Sequence, residues 1–246
     1  MSIETPEELA GLRASGRVVA EVLRAMRRAV RPGVTTGELD AIAARIFRRA
    51  GARSAPQLTY GFPGATCICV NDEAVHGIPG PRRLREGDLV KLDVAAELDG
   101  YYADACVSVG VGRARPATNR LAAAARHALA QALTTARAGA PQSVIGATIE
   151  RETGMRGYSV CAELMGHGIG RSLHEAPDVP SFYDPELTAA LTDGLVLTIE
   201  PIVSAGSGAV SQGRDGWTVR TADGALSAHE EHTIVITAGA PLILTA

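Results

Sequence analysis

An aspartate sits inside each of two apolar, strand-like runs that are predicted to fold back on each other. The runs are Asp88–Ala95 and Tyr101–Val111, and between them Leu98-Asp99-Gly100 carries the Asp-Gly pair favoured in tight hairpins. With Asp99 and Gly100 as the two turn residues, Asp93 pairs with Cys106 and Asp104 with Ala95. All four side chains then leave one face, and the two carboxylates are diagonal neighbours roughly 7–8 Å apart at the backbone. Like charges at that spacing repel, and the apolar residues around them imply burial. A buried, unpaired carboxylate is costly or gives up its charge. A cation between the two removes both costs.

Around this hairpin the element order repeats. Thr5-Pro6-Glu7-Glu8 is a helix start, with Thr as cap and Pro in the first turn. Leu9, Leu12, Val18, Val19, Val22, Leu23, Met26 and Val30 keep helical spacing until Pro32-Gly33. A second capping signal, Thr35-x-x-Glu38, opens a helix that runs to Gly51, and a short strand follows at Thr66–Val70. After the hairpin, helices are expected over Thr118–Arg137 and from Ser143 to about Glu152. Strands are expected at Leu195–Ile199, near Trp217–Arg220 and over Leu226–Thr237. Helices then strands, twice over, reads as one α+β domain spanning 1–246. Its halves, about 1–115 and 116–246, share a mixed or antiparallel sheet.

Three further segments carry residues that are odd for their surroundings. Glu200 ends the apolar run Val196-Leu-Thr-Ile and is followed by Pro201, and Glu231 opens another such run in His229-Glu-Glu-His-Thr-Ile-Val235. Acidic residues are disfavoured in strands. Gly166-His167-Gly168-Ile169-Gly170 brackets a histidine with glycines, which permits close approach of backbone or ligand, and His174 follows. Asp93, Asp104, Glu200 and Glu231 together carry four negative charges, which two divalent cations would neutralise. Oxygen ligands with a single imidazole suit manganese, iron(II) or cobalt(II) better than a thiolate-type zinc site. Such a pair sharpens a water nucleophile and polarises a carbonyl, which points to hydrolysis.

Composition removes other function classes. Lys and Arg number 24 against 27 Asp and Glu, a net charge of −3, so there is no basic field for nucleic acid. No apolar run is long enough to span a bilayer, and the acidic start, Met1-Ser-Ile-Glu-Thr-Pro-Glu-Glu, is no signal peptide. Cys67, Cys69, Cys106 and Cys161 lack zinc-type spacing. A soluble, cytoplasmic protein is expected.

At these residues the sequence resembles the methionine aminopeptidases, in their short bacterial type I form. The matching segments are Val70–Pro79 with His76, Lys91–Val94 with Asp104, Gly166–Arg171 with His174-Glu175, Thr198–Pro201, and Glu231–Val235. The resemblance spans nearly the whole chain and implies the pita-bread fold, two related halves around a metal site. It implies Asp93, Asp104, His167, Glu200 and Glu231 as ligands of two divalent ions, with Asp104 and Glu231 bridging and Glu200 also the general acid/base. It places His76 near the peptide nitrogen, His174 near the carbonyl oxygen, and Tyr60, Phe62, Cys67 and Trp217 around the methionine side chain. Phe62 stands where a tyrosine is usual and Leu173 where an aromatic is common. His127, His229 and His232 are read as structural.

The implied activity is removal of the N-terminal methionine from nascent proteins and peptides with a small second residue, by a monomer that could contact the ribosome. Two alternatives share the fold. Xaa-Pro aminopeptidases and prolidases carry an extra N-terminal domain, for which the chain before His76 has no room. Non-catalytic binding members lose ligands that are all present here.

Overall fold

A computed structural model describes residues 1–246. The first helix, Pro6–Ala29, begins where Thr5 accepts the Glu8 N–H on its hydroxyl. The second, Thr36–Ala50, has a reciprocal capping box between Thr35 and Glu38 and stops at Gly51, whose φ of 70° is left-handed. The first lies on the long hairpin Leu89–Leu98/Tyr101–Gly110, and the second packs beside the first. Asp99 and Gly100 have φ of 51° and 82°, as a two-residue turn of this hand requires, and Asp93 pairs with Cys106 and Ala95 with Asp104. Period-two alternation then splits the hairpin. Leu92, Val94, Ala103 and Ala105 pack under Val22, Met26 and Leu39, while the two aspartates face away from the helices. Each fully buried aliphatic side chain contributes roughly 1.5–3 kcal/mol, so this core fixes the hairpin against which the acidic residues are held.

The other helix pair, Pro116–Thr135 and Ser143–Gly154, covers a five-stranded antiparallel sheet. Its strands run in the order Leu242–Ile243, His232–Val235, Val196–Ile199, Met165–Gly168 and Glu175–Pro180. Ala128, Ala132, Ile145 and Ile149 meet Leu197, Ile199 and Ile234 in the core between them. Gly146 sits where a Cβ would lie 2.1 Å from the Phe182 carbonyl oxygen. Gly146→Ala must therefore push helix from backbone and is expected to cost roughly 1–3 kcal/mol, read as a lower urea midpoint at unchanged slope.

The expected strand Leu226–Thr237 is in fact two, Ser227–His229 and His232–Val235, broken at Glu230-Glu231. Opposite them, Val196–Ile199 and Ile202–Ser204 are broken at Glu200-Pro201. Ile202 pairs with His229 and Ile199 with His232, so one register runs through both ladders and leaves Glu200 opposite Glu231 in the gap. Pro201 has no N–H to give the ladder. The Glu231 N–H donates instead to the Cys106 carbonyl at 2.9 Å, and the Asp104 N–H to Thr233 Oγ1 at 2.8 Å. The break thus stitches the second sheet to the acidic face of the hairpin.

All strand pairs are antiparallel, and they form four sheets instead of one shared sheet. The strand near Trp217 starts at Val219, because Asp215 Oδ1 takes the Trp217 and Thr218 N–H groups into a turn. A short helix the sequence did not suggest, Ala55–Tyr60, is capped by Ser54 and carries Tyr60. No helix is long and apolar enough to cross a membrane.

Candidate active site

One pocket of 460 Å³ is lined by all eleven residues singled out from the sequence. Asp93 and Asp104 enter from the hairpin, and Glu200 and Glu231 from the ladder break. His167 comes from the strand Met165–Gly168. The glycines beside it serve the neighbouring strands. A Cβ on Gly166 would lie 2.7 Å from the Thr198 carbonyl oxygen, and one on Gly168 2.2 Å from that of Ala176. His167 Nδ1 is 2.9 Å from the Gly168 carbonyl oxygen, which can only accept, so Nδ1 carries the hydrogen. Its Nε2 lone pair then faces the pocket, 3.7 Å from Glu200 Oε1.

The acidic floor is electrostatically strained. Burial and then repulsion from Glu200 push the Asp93 carboxyl up to about 7. Burial and Asp93 push Asp104 well above the ordinary range, and burial, Asp104 and Glu200 do the same to Glu231. Burial also opposes ionisation of Glu200, but His229, His167 and the Thr198 hydroxyl outweigh it and hold this carboxyl below its usual value. Asp104 Oδ1 is buried with no hydrogen-bond partner. Crowded carboxylates with an orphaned oxygen and an imidazole lone pair aimed among them are a donor set suited to a hard or borderline divalent cation.

Two groups bring their ligand atoms within 4.8 Å of one another: Asp104, His167 and Glu231, and Glu200, His229 and Glu231. Glu231 belongs to both, whereas Asp93 belongs to neither. The thiols stay out of this chemistry. Burial and then Asp93 raise Cys67 well above the thiol range, and Cys69 accepts the Gly77 N–H at 3.1 Å.

At the mouth stand His76 and His174. His76 has a left-handed φ of 57°, a conformation costing a non-glycine residue on the order of 1 kcal/mol, which turns its ring over the pocket. His174 Nδ1 lies 2.6 Å from the Tyr60 hydroxyl. His174 is open to the cleft yet ringed by protein, and this desolvation, with repulsion from His167, pushes it down to about 4. The ring is therefore neutral at pH 7. If Tyr60 donates to Nδ1, the hydrogen of His174 is on Nε2. Beside these, Phe62 and Trp217 meet edge to face with centroids 5.2 Å apart, and Cys67 and Leu173 close an apolar wall.

His229 was read as structural, and the structure puts it in the pocket instead. It precedes Glu231 by two residues, a strand spacing that sends both side chains to one face, and that was the available signal. His232 does stay structural, with Nδ1 2.8 Å from Thr245 Oγ1.

Residues 10–238 match the family model of metallopeptidase family M24. The chain belongs to that family. It is 42% identical to methionine aminopeptidase 2 of Bacillus subtilis over 100% of this chain and 99% of the relative. It is 41% identical to a methionine aminopeptidase of Staphylococcus epidermidis, covering 100% and 98%. The crystal structure of a methionine aminopeptidase from Thermotoga maritima superposes with a TM-score of 0.96 at 36% identity, covering 100% and 99%. A prolidase from Pyrococcus furiosus shares the fold at a TM-score of 0.79 and 21% identity, and this chain spans 65% of that longer one. As an M24 metallopeptidase the chain is a hydrolase that works with a divalent metal, and its fold is the α+β pita-bread arrangement of that family.

Proposed function

We propose that this M24 enzyme is a methionine aminopeptidase, removing the N-terminal methionine from peptides and nascent proteins with a small second residue. The observation that carries this reading is the meeting of an acidic metal pocket and an apolar aromatic wall inside one 460 Å³ cleft. Thioether sulfur sits well at aromatic ring edges, and Phe62, Trp217, Tyr60 and Cys67 offer a methionine side chain such a lining. The names of the full-length relatives support the same substrate.

Asp93, Asp104, His167, Glu200 and Glu231 would hold two divalent ions, of manganese, iron(II) or cobalt(II). Bound there, they would polarise the scissile carbonyl and make water a stronger nucleophile. Glu200, held ionised by its imidazole neighbours, takes a proton from the attacking water and returns it to the leaving nitrogen. His174, neutral and with Tyr60 on Nδ1, offers Nε2–H to the carbonyl oxygen as that oxygen gains charge. His76 stands over the mouth, where the peptide nitrogen would pass. The chain acts as a single catalytic domain and a monomer in the cytoplasm.

His174→Ala removes a donor used most in the transition state. Its kcat should fall about a hundredfold with KM little changed, measured by steady-state release of methionine. A matching rise in KM instead would make His174 a binding residue.

The deciding experiment follows free methionine from Met-Ala-Ser, and cleavage of Ala-Pro-Ser, with metal-stripped protein before and after adding manganese, iron(II) or cobalt(II). Metal-dependent release of methionine with the proline peptide intact is the expected result. Cleavage of the proline peptide alone would move the enzyme to the Xaa-Pro class.

A further inference from the structure

His229 is buried to 2% exposure, and neither ring nitrogen has a hydrogen-bond partner. Every other imidazole outside the exposed mouth is engaged: His127 on Glu152, His167 on Gly168 and His232 on Thr245. An orphaned, buried imidazole costs its desolvation with nothing in return, so its surroundings should explain it.

His229 Nε2 lies 3.4 Å from Glu200 Oε2 and 3.7 Å from Glu231 Oε2. Direct N–H···O bonds run to about 3.2 Å, so both contacts are long for hydrogen bonds. They suit another arrangement. Two ligand atoms each about 2.1 Å from one ion, opened to a tetrahedral angle, stand about 3.4 Å apart. His167 Nε2 stands in the same relation to the other oxygen of Glu200, at 3.7 Å. The backbone of His229 is pinned as well. Its N–H donates to Ser108 Oγ at 2.9 Å, and that hydroxyl donates back to the His229 carbonyl at 2.8 Å. The ring therefore sits on the rigid strand pair Ser227–His229 and Ile202–Ser204, two residues before Glu231.

We infer that His229 is a metal ligand. With Glu200 and Glu231 it forms a second imidazole-bearing position beside that of Asp104, His167 and Glu231, the two sharing Glu231. The inference rests on the metal-pocket reading above and adds a sixth ligand to it. Its chemical consequence is a shift in metal choice. An all-oxygen second position suits manganese, whereas an added imidazole favours iron(II), cobalt(II) or zinc.

The test is the proton NMR spectrum of the full chain loaded with cobalt(II). Each ligating imidazole contributes one solvent-exchangeable, paramagnetically shifted N–H signal, so two are expected from the native protein and one from His229→Gln. Cobalt titration of His229→Gln should show the weaker ion bound at least about tenfold less tightly. Glutamine keeps an N–H that can bond Glu200, so a residue that merely donated a hydrogen bond would leave ion count and affinity unchanged. A single shifted signal in the native spectrum, with cobalt retained, overturns the assignment even if the variant does not fold. Failure of the native chain to retain cobalt at all would overturn the metal-pocket reading itself.

Discussion

Asp104→Asn should lower turnover of a methionyl peptide by at least about a thousandfold. Losing several kcal/mol of Lewis-acid stabilisation, at about 1.4 kcal/mol per factor of ten, gives that size. The substitution keeps the side-chain volume. It also keeps the main-chain bonds that anchor this position, since the Asp104 N–H and carbonyl both engage Thr233 Oγ1. What it removes is one negative charge and one ligand oxygen, at a site where Oδ1 is buried and otherwise unpartnered. Repulsion with Asp93 falls too, so the metal-free variant should be at least as stable as the native protein. The measurements are methionine release, bound metal per chain and a melting curve on one preparation. Full turnover by a metal-loaded variant would falsify the role assigned to Asp104, and a collapsed melting curve would show that the fold, not the site, had been lost.

The carboxylates of the hairpin were legible because local rules fix them. An Asp-Gly turn sets the register, and register with period two sets which face Asp93 and Asp104 share. The capped helices were legible for the same reason, since Thr5, Thr35 and Glu38 act within one turn of chain. Glu200 and Glu231 stood out as acids in strands, but their opposition across a broken ladder depends on residues 31 apart in sequence pairing in one register. The strand holding His167 was hidden: Met165-Gly-His-Gly has no β-branched residue, and it is a strand because its glycines admit two neighbouring backbones. His229 was passed over although it stands two residues before Glu231, the spacing that puts both side chains on one face of a strand. The roles of His76, His174 and the aromatic wall came only from resemblance, since their meeting at one mouth is a tertiary fact.

Metal-stripped protein should lose stability between about pH 6 and pH 8, where most proteins are near their best. Asp93 is pushed from an ordinary 3.8 up to about 7, and Asp104 and Glu231 are raised as well. The folded chain therefore keeps protons that the unfolded chain releases. A carboxyl whose folded value is raised stabilises the fold fully below the unfolded value, and that contribution is gone once pH has risen through the folded one. For Asp93 the loss accrues from about pH 4 and is complete near pH 7, with a size of roughly 2–4 kcal/mol, while Asp104 and Glu231, raised further, carry it on to higher pH. Opposing terms come from Glu200, Glu97 and Glu175, held low in the fold and losing their stabilisation at acid pH. They come also from His76, His174 and His232, kept neutral by the fold while the unfolded chain protonates them below about pH 6.5. Above that the carboxyl terms are left to dominate. Divalent metal should reverse the trend. Bound cations take the place of the retained protons, so Kd should fall as pH rises. Stabilisation at a fixed metal concentration, about 2.7 kcal/mol where that is 100 times Kd, should grow with pH and be accompanied by proton release. Urea unfolding of stripped and loaded protein across this pH range reads both effects, and calorimetry in buffers of different ionisation enthalpy counts the protons. A stripped protein whose stability is flat or rising from about pH 6 to pH 8 would mean that the four carboxylates are not crowded as the fold places them, and the argument for a cation among them would lose its electrostatic half.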